Sequence, residues 1–378
     1  MIHRRKLLLK GSAFAASAPA IVRASSLLPA LAATDGCTQG GGDIYPAGPS
    51  LTLKPGREFA ANSWVHTRLV DNAPIDPMSA TWVTEFARMM MANQGGVGAL
   101  LEAYPIYVVG PDQPTSRVVT ADPPGTPKAD YLQSRFNAVP IPNPDTFKPQ
   151  QASDMAAVIY QPSTDTLWEF WLMQKTGNKT THSAGNSVGE WQATWGGQLN
   201  NVSQNPGWWI TEPEGWKPGA TATGIPILAT LVTLGDLQKG SIDHPIAITL
   251  GISDAFYPSW NQPPAQRTDG GNDAPDKIPL GVIFRLPADL ELESYPVLAT
   301  NGGPKNVWRM MAEAMQNYGM VPVDTGGTSI LFAEDTTNPP QFAGGDPFGS
   351  SPLYFPFIQF DEFPWDKMQV LKTNLVSS

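Results

Sequence analysis

Thirty-eight prolines and thirty-five glycines run through the 378 residues of this chain. Proline removes a backbone donor and clashes with the preceding turn, and glycine loses the most freedom on ordering, so both end regular elements. The apolar segments between them are therefore short. They fall at 105–109, 155–161, 166–173, 190–199, 245–250, 280–286, 320–323 and 329–333, and turn residues separate nearly all of them. Eight such segments predict a mainly β protein. The expected architecture is a β-sandwich or jelly-roll-like single domain over residues 61–378, with long loops and two or three peripheral helices. The loops are expected at 110–130, 137–153 and 336–352, and a Gly- and Pro-rich lead-in at 33–60.

Two segments carry helical periodicity instead. Asp76-Pro77-Met78-Ser79 can open a helix in which Trp82, Val83, Phe86 and Met90 share a face, stopped by Gly95-Gly96. A second runs over 304–317, with Val307, Met310, Met311, Ala314 and Met315 on one stripe and Gly319 just past its end. Methionine on such a stripe fills core.

At the N-terminus, Arg4-Arg5-Lys6 precedes Leu7-Leu8-Leu9-Lys10 and a small, weakly apolar run. That pattern over residues 1–32 resembles a twin-arginine export signal, and a general secretory signal is the alternative. Pro19 and Arg23 interrupt the run, so it is too broken for the roughly 20 apolar residues of a membrane span. The expected partner of this segment is the export machinery, and the expected location is periplasmic or secreted.

Lys and Arg number 24 against 34 Asp and Glu, a formal net charge of −10. Loss of the five basic residues Arg4, Arg5, Lys6, Lys10 and Arg23, with no acid lost, takes −10 to −15. Nucleic acid is excluded as a partner, because binding it needs phosphate neutralisation by a basic face. The single Cys37 excludes an internal disulfide. There is no G-x-S-x-G, no H-E-x-x-H, no phosphate loop and no dinucleotide fingerprint. His66, His182 and His244 are the only histidines beyond residue 32, too few for a histidine-rich metal site. No metal or other cofactor is expected.

The candidate chemistry lies at strand ends. Asp243-His244 opens the run at 245–250, and His244 can serve as a general acid or base, or simply cap a turn. Glu169 sits within Leu167-Trp168-Glu169-Phe170-Trp171. If it shares a desolvated face with Trp171, its pKa rises and it suits a general acid; the alternative is a solvated face. Asp154 precedes a strand and supplies a possible second carboxylate, and paired carboxylates are the minimum for glycoside hydrolysis. Asp324 ends a strand before Gly326-Gly327, where turn formation is the plainer reading. Trp171, Trp208, Trp209, Trp260 and Arg267 are the candidate substrate contacts. Indole faces stack on sugar rings, and an arginine can clamp an acidic sugar.

Several stretches together are similar to a family of large secreted bacterial proteins with no assigned reaction. They are Asn62-Ser63-Trp64, Ile75-Asp76-Pro77-Met78-Ser79, Val139-Pro140-Ile141-Pro142 and Asp154, then Leu167-Trp168-Glu169-Phe170-Trp171 and Gly224-Ile225-Pro226-Ile227-Leu228. Further on come Gly240-Ser241-Ile242-Asp243-His244, Pro279-Leu280-Gly281, Arg285-Leu286 and Tyr318-Gly319-Met320 with Asp324. The family pattern carries Gly-His after the Asp154 position and a His within 265–270. Here Met155-Ala156 and Gln266-Arg267 stand instead, which implies a lost or altered activity if those histidines are functional. The residues taken together point to an exported protein that hydrolyses or eliminates a polysaccharide through carboxylate and histidine acid–base chemistry. A non-catalytic protein that binds polysaccharide or cell-envelope glycan is the alternative.

Overall fold

The computed structural model describes residues 58–92, 96–98, 103–142, 147–150, 152–176, 189–210, 212, 215–251, 259–303, 305–327, 329–335 and 362–377. All belong to one compact unit, Gly42–Ser378. The export signal, Cys37, most of the 33–60 lead-in and the loop at 336–352 lie outside the described residues.

Helix α1 (Ser79–Ala92) starts where expected. Asp76 Oδ1 accepts the Met78 amide at 2.9 Å, while Oδ2 holds the amide and hydroxyl of Thr373, so one side chain both starts the helix and ties down the C-terminal strand. Strands β1 (Gly96–Gly98), β2 (Ile106–Val108) and β3 (Val118–Thr120) follow. Helix α2 (Pro127–Phe136) begins inside the loop expected at 110–130 and runs through the unassigned 131–136, with Thr126 accepting the Ala129 amide as N-cap and proline in the first turn. Next come β4 (Ala157–Gln161), β5 (Thr166–Trp171), β6 (Gln174–Lys175), β7 (Trp191–Ala193) and β8 (Trp195–Asn200). Two short helices, α3 (Ile227–Thr230) and α4 (Leu234–Lys239), precede β9 (Ile246–Gly251), β10 (Ser259–Asn261) and β11 (Phe284–Arg285). Helix α5 (Val307–Asn317), capped by Asn306, leads into β12 (Met320–Gly326) and β13 (Ile330–Phe332), and β14 (Gln369–Val370) and β15 (Leu375–Ser377) end the described chain.

A six-stranded sheet has the order β1-β13-β9-β12-β11-β14, and a four-stranded sheet the order β2-β4-β5-β8; β3-β7-β6 and β10-β15 form smaller ones. The fold is thus mainly β, with no closed barrel among the described residues. A jelly roll is antiparallel, but β9/β12, β1/β13, β2/β4 and β3/β7 pair in parallel, so the pairing is mixed. Five helices are described where two or three were expected. No helix among the described residues is long and apolar enough to cross a membrane.

Strand alternation sorts the core into three clusters. Ile246, Ile248 and Leu250 of β9 join α1 and α5 side chains in the first. Ala247 of β9 and Val321 and Val323 of β12 face the second, which also takes Val158, Leu167 and Leu199 from the four-stranded sheet. Ile159, Trp168 and Phe170 point the opposite way, into a third cluster with Leu132 and Phe136 of α2. The two larger sheets therefore share one apolar cluster, and helices cover their other faces. Both faces of β5 are buried, which determines the surroundings of Glu169.

Candidate functional site

Glu169 is fully buried. Its carboxylate accepts the Trp209 indole N–H at 3.3 Å and the Leu228 amide at 3.4 Å, with the amides of Ile227 and Ala220 also directed at it. Burial pushes its pKa up to about 7 against the pull of these four donors. Trp209 closes it off: a Cβ at Gly219 would lie 2.3 Å from the indole and one at Gly197 2.9 Å. Glu169 thereby joins β5 to the 218–228 segment inside the core.

His244 is 1% exposed. Its Nδ1 bonds the Pro245 carbonyl at 2.8 Å and its Nε2 the Asp236 carboxylate at 3.1 Å. Two acceptors suit an imidazolium, in which both nitrogens donate. Burial opposes the charge, but Asp236 outweighs it and holds the pKa above the usual histidine value. Asp236 also accepts the Thr233 amide and hydroxyl in the capping box of α4. Asp243 points elsewhere and pairs with Lys239 on the surface. Glu169 and His244 share no partner, so the structure gives each its own setting.

A different group converges at the strand ends. Asp324 follows a register shift in β12, which pairs in parallel with β9. Its Oδ1 accepts the Thr325 amide at 2.8 Å, and the Ala222 amide is also directed at it. Burial, then the negative charges of Asp269 and Asp154, hold the Asp324 pKa well above the usual carboxylate range. Asp269 is exposed and accepts the Thr325 hydroxyl at 2.9 Å. Asp154, half-buried just before β4, accepts the Trp171 indole N–H at 3.0 Å. The turn is fixed because the Leu172 amide donates to the Asp154 carbonyl and the Met173 amide to that of Met155. Met155 and Leu172 both sit at positive φ, 41° and 53°, a backbone cost that surrounding structure must hold in place.

Arg267 braces this group. Its guanidinium donates to the carbonyls of Lys217, Gly219 and Thr221 at 2.6–2.8 Å. Burial lowers its pKa to about 10, opposed by Asp324 and Asp269. It lies 5.7 Å from the ring centroid of Trp195, which pairs across the ladder with Trp171. Trp195 in turn lies near Trp216, and Trp216 stacks on Tyr131 at 5.0 Å.

Of the residues expected at the site, Asp154, Asp324, Trp171 and Arg267 come together. Glu169 and Trp209 instead pair with each other in the core. Trp208 and Trp260 line a separate groove with Lys217. Asp269, Trp195, Tyr131 and Thr325 were not expected; Asp269 stands two residues from Arg267, which is the signal that points to it. No three His, Cys, Asp or Glu side chains among the described residues form a group suited to a metal ion. No family model, curated protein or solved structure matches the chain, so its chemistry is read from this geometry.

Proposed function

We propose that the protein hydrolyses glycosidic bonds in a polysaccharide, outside the cytoplasm. The observation that carries this reading is the asymmetry among three clustered carboxylates. Asp324 tends to keep its proton because of its burial first and then because of the charges of exposed Asp269 and indole-bonded Asp154. A carboxyl whose setting favours its protonated form suits a general acid. Asp324 is the general acid, protonating the leaving oxygen; Asp154 or Asp269 is the carboxylate that activates water or attacks the sugar. Trp171, half-buried beside Asp154, supplies an aromatic surface against which a sugar ring packs. Hydrolysis is favoured over elimination because elimination needs a group to neutralise a uronate carboxylate at the cleaved residue, and Arg267 is committed to three carbonyls.

The test is a screen of the purified protein against neutral and acidic polysaccharides, read by reducing ends and by unsaturated-uronate absorbance. Asp324→Asn should lower turnover by about 10²–10⁴-fold with the melting temperature retained. Full activity in that variant overturns the assignment. Binding without product on any glycan favours the second reading, a non-catalytic glycan-binding protein, which the Met155-Ala156 and Gln266-Arg267 departures support. Export is tested by replacing Arg4 and Arg5 with Lys and fractionating cells; undiminished export removes the twin-arginine assignment.

A further inference from the structure

We propose that the groove beside Trp208 is a subsite for an anionic sugar residue, a uronate, of the polysaccharide that the carboxylate cluster cleaves elsewhere along the same chain. This rests on the glycan reading above. The groove encloses about 460 Å³ and is lined by Trp208, Lys217, Trp260, Gln262, Gln266 and Asn374 among others, within the size range of about 300–1,000 Å³ for ligand sites. No Asp or Glu lines it, although acids outnumber bases 34 to 24 in the chain. Lys217 places its ammonium 4.8 Å from the Trp260 ring centroid and has no carboxylate partner among the described residues. It is thus a positive charge held on an aromatic face and left without an anion.

The groove is also built. The Lys217 carbonyl accepts from Arg267, which fixes the root of the side chain. Asn374 is held by its amide to Asn261 Oδ1 and by its side-chain N–H to the Gln262 carbonyl. Trp208 is half-buried, and its amide donates to Asn205 Oδ1. An indole face, amide side chains and one ammonium match a pyranose ring that carries hydroxyls and a carboxylate.

The 217–221 strap separates this groove from the cluster, since Lys217 serves the one and Arg267, bonded to Gly219 and Thr221, braces the other. The charges of Asp154 and Asp269 repel a uronate at the cleaved position, whereas Lys217 attracts one at a distance from it. The substrate class that satisfies both is a heteropolysaccharide in which neutral and uronic residues occur in one chain.

The probes are size-matched oligosaccharides, one alternating uronate with neutral sugar and one wholly neutral, titrated calorimetrically against the Asp324→Asn protein. The acidic probe should bind about tenfold tighter, a difference of about 1.4 kcal/mol. Lys217→Gln should remove that preference by weakening the acidic probe about tenfold more than the neutral one, while Trp208→Ala should weaken both. Equal affinity for the two probes, or a preference that survives Lys217→Gln, overturns the proposal. Turnover of the unsubstituted protein is scored separately. Hydrolysis without the acidic preference removes the subsite and keeps the catalytic reading. The Lys217-dependent preference without hydrolysis of any glycan keeps the subsite and removes the catalytic reading. Failure to bind either probe overturns the subsite.

Discussion

Gly219→Ala should cost far more than its one methyl group suggests. Gly219 has φ +102°, and an ideal Cβ there lies 2.3 Å from Trp209 Cδ1, 2.4 Å from Nε1 and 3.0 Å from Cγ. The indole has no room to retreat, because a Cβ at Gly197 would already meet its far edge at 2.9 Å and Trp209 is 1% exposed. Relief therefore requires moving either the indole, which strips an N–H donor from the buried Glu169 carboxylate, or the strap whose Gly219 carbonyl holds Arg267. Overpacking costs about 1–3 kcal/mol, and the loss of a bond to a buried charge about 1.5–3 kcal/mol. Adding about 1 kcal/mol for a left-handed backbone, and allowing for relaxation, the expected loss is about 3–5 kcal/mol. Gly215→Ala is the control: φ is +83°, nothing lies within 4 Å of its Cβ, and only the backbone contribution remains. Urea denaturation of both variants, followed by far-ultraviolet circular dichroism, gives the comparison. If Gly219→Ala falls within about 1 kcal/mol of Gly215→Ala, the packing of Trp209 described above is wrong.

Three further outcomes follow from the same side chains. Glu169, Asp324 and His244 all have raised pKa values, so the folded state holds protons that the unfolded chain releases. Stability should fall as pH rises. Glu169 alone, moving from 4.5 to about 7, contributes about 3 kcal/mol of loss across that interval; a melting temperature at pH 8 equal to or above that at pH 5 contradicts this. Asp236→Asn should cost about 3–5 kcal/mol by leaving the His244 imidazolium unpaired. His244 contributes its stability fully below its ordinary pKa of 6.5 and loses it as pH rises through the raised folded value, so denaturation at pH 5 and pH 8 should show the larger loss at pH 5. Arg267→Lys keeps the charge but loses the fork that reaches three carbonyls, at a cost of about 3 kcal/mol, and it should lower turnover as well; unchanged activity and unchanged melting would show that the strap needs no brace.

Local signals explain which elements were legible. Helices α1 and α5 carry apolar stripes and flanking stops within one window, and both appear where periodicity places them. Helix α2 has a Thr126-Pro127 start, but that start lies at the end of a proline-rich stretch that reads as loop to residue 130. The run at 190–199 reads as one strand because tryptophan recurs four residues apart; in the structure it breaks at Thr194 into β7 and β8, which belong to different sheets. The run at 280–286 shrinks to a two-residue strand and a single bridge from Leu280 to Trp260, since Gly281 at φ +81° turns the chain toward Ala265 and Asn261. For the site, strand-end polar residues were a usable signal for Asp154 and Asp324. Their convergence with Asp269 and Arg267 depends on the β12 register shift and on the strap, neither of which leaves a local pattern.

Glu169 and Asp324 illustrate what periodicity leaves out. Both carboxyls are raised by burial, yet their settings assign them opposite work. Four N–H donors surround Glu169, and its carboxyl is fully buried. Asp324 has two amide donors and two acidic neighbours, one of them exposed, so protonation relieves repulsion, and its side chain is half-buried where that of Glu169 is fully buried. Alternation along β5 pairs Glu169 with Leu167 and Trp171, but with both faces of the strand buried it cannot say which face meets a ligand. Access, more than pKa, separates a structural acid from a chemical one in this molecule, and access is set by Gly197, Gly219 and the strap that Arg267 holds.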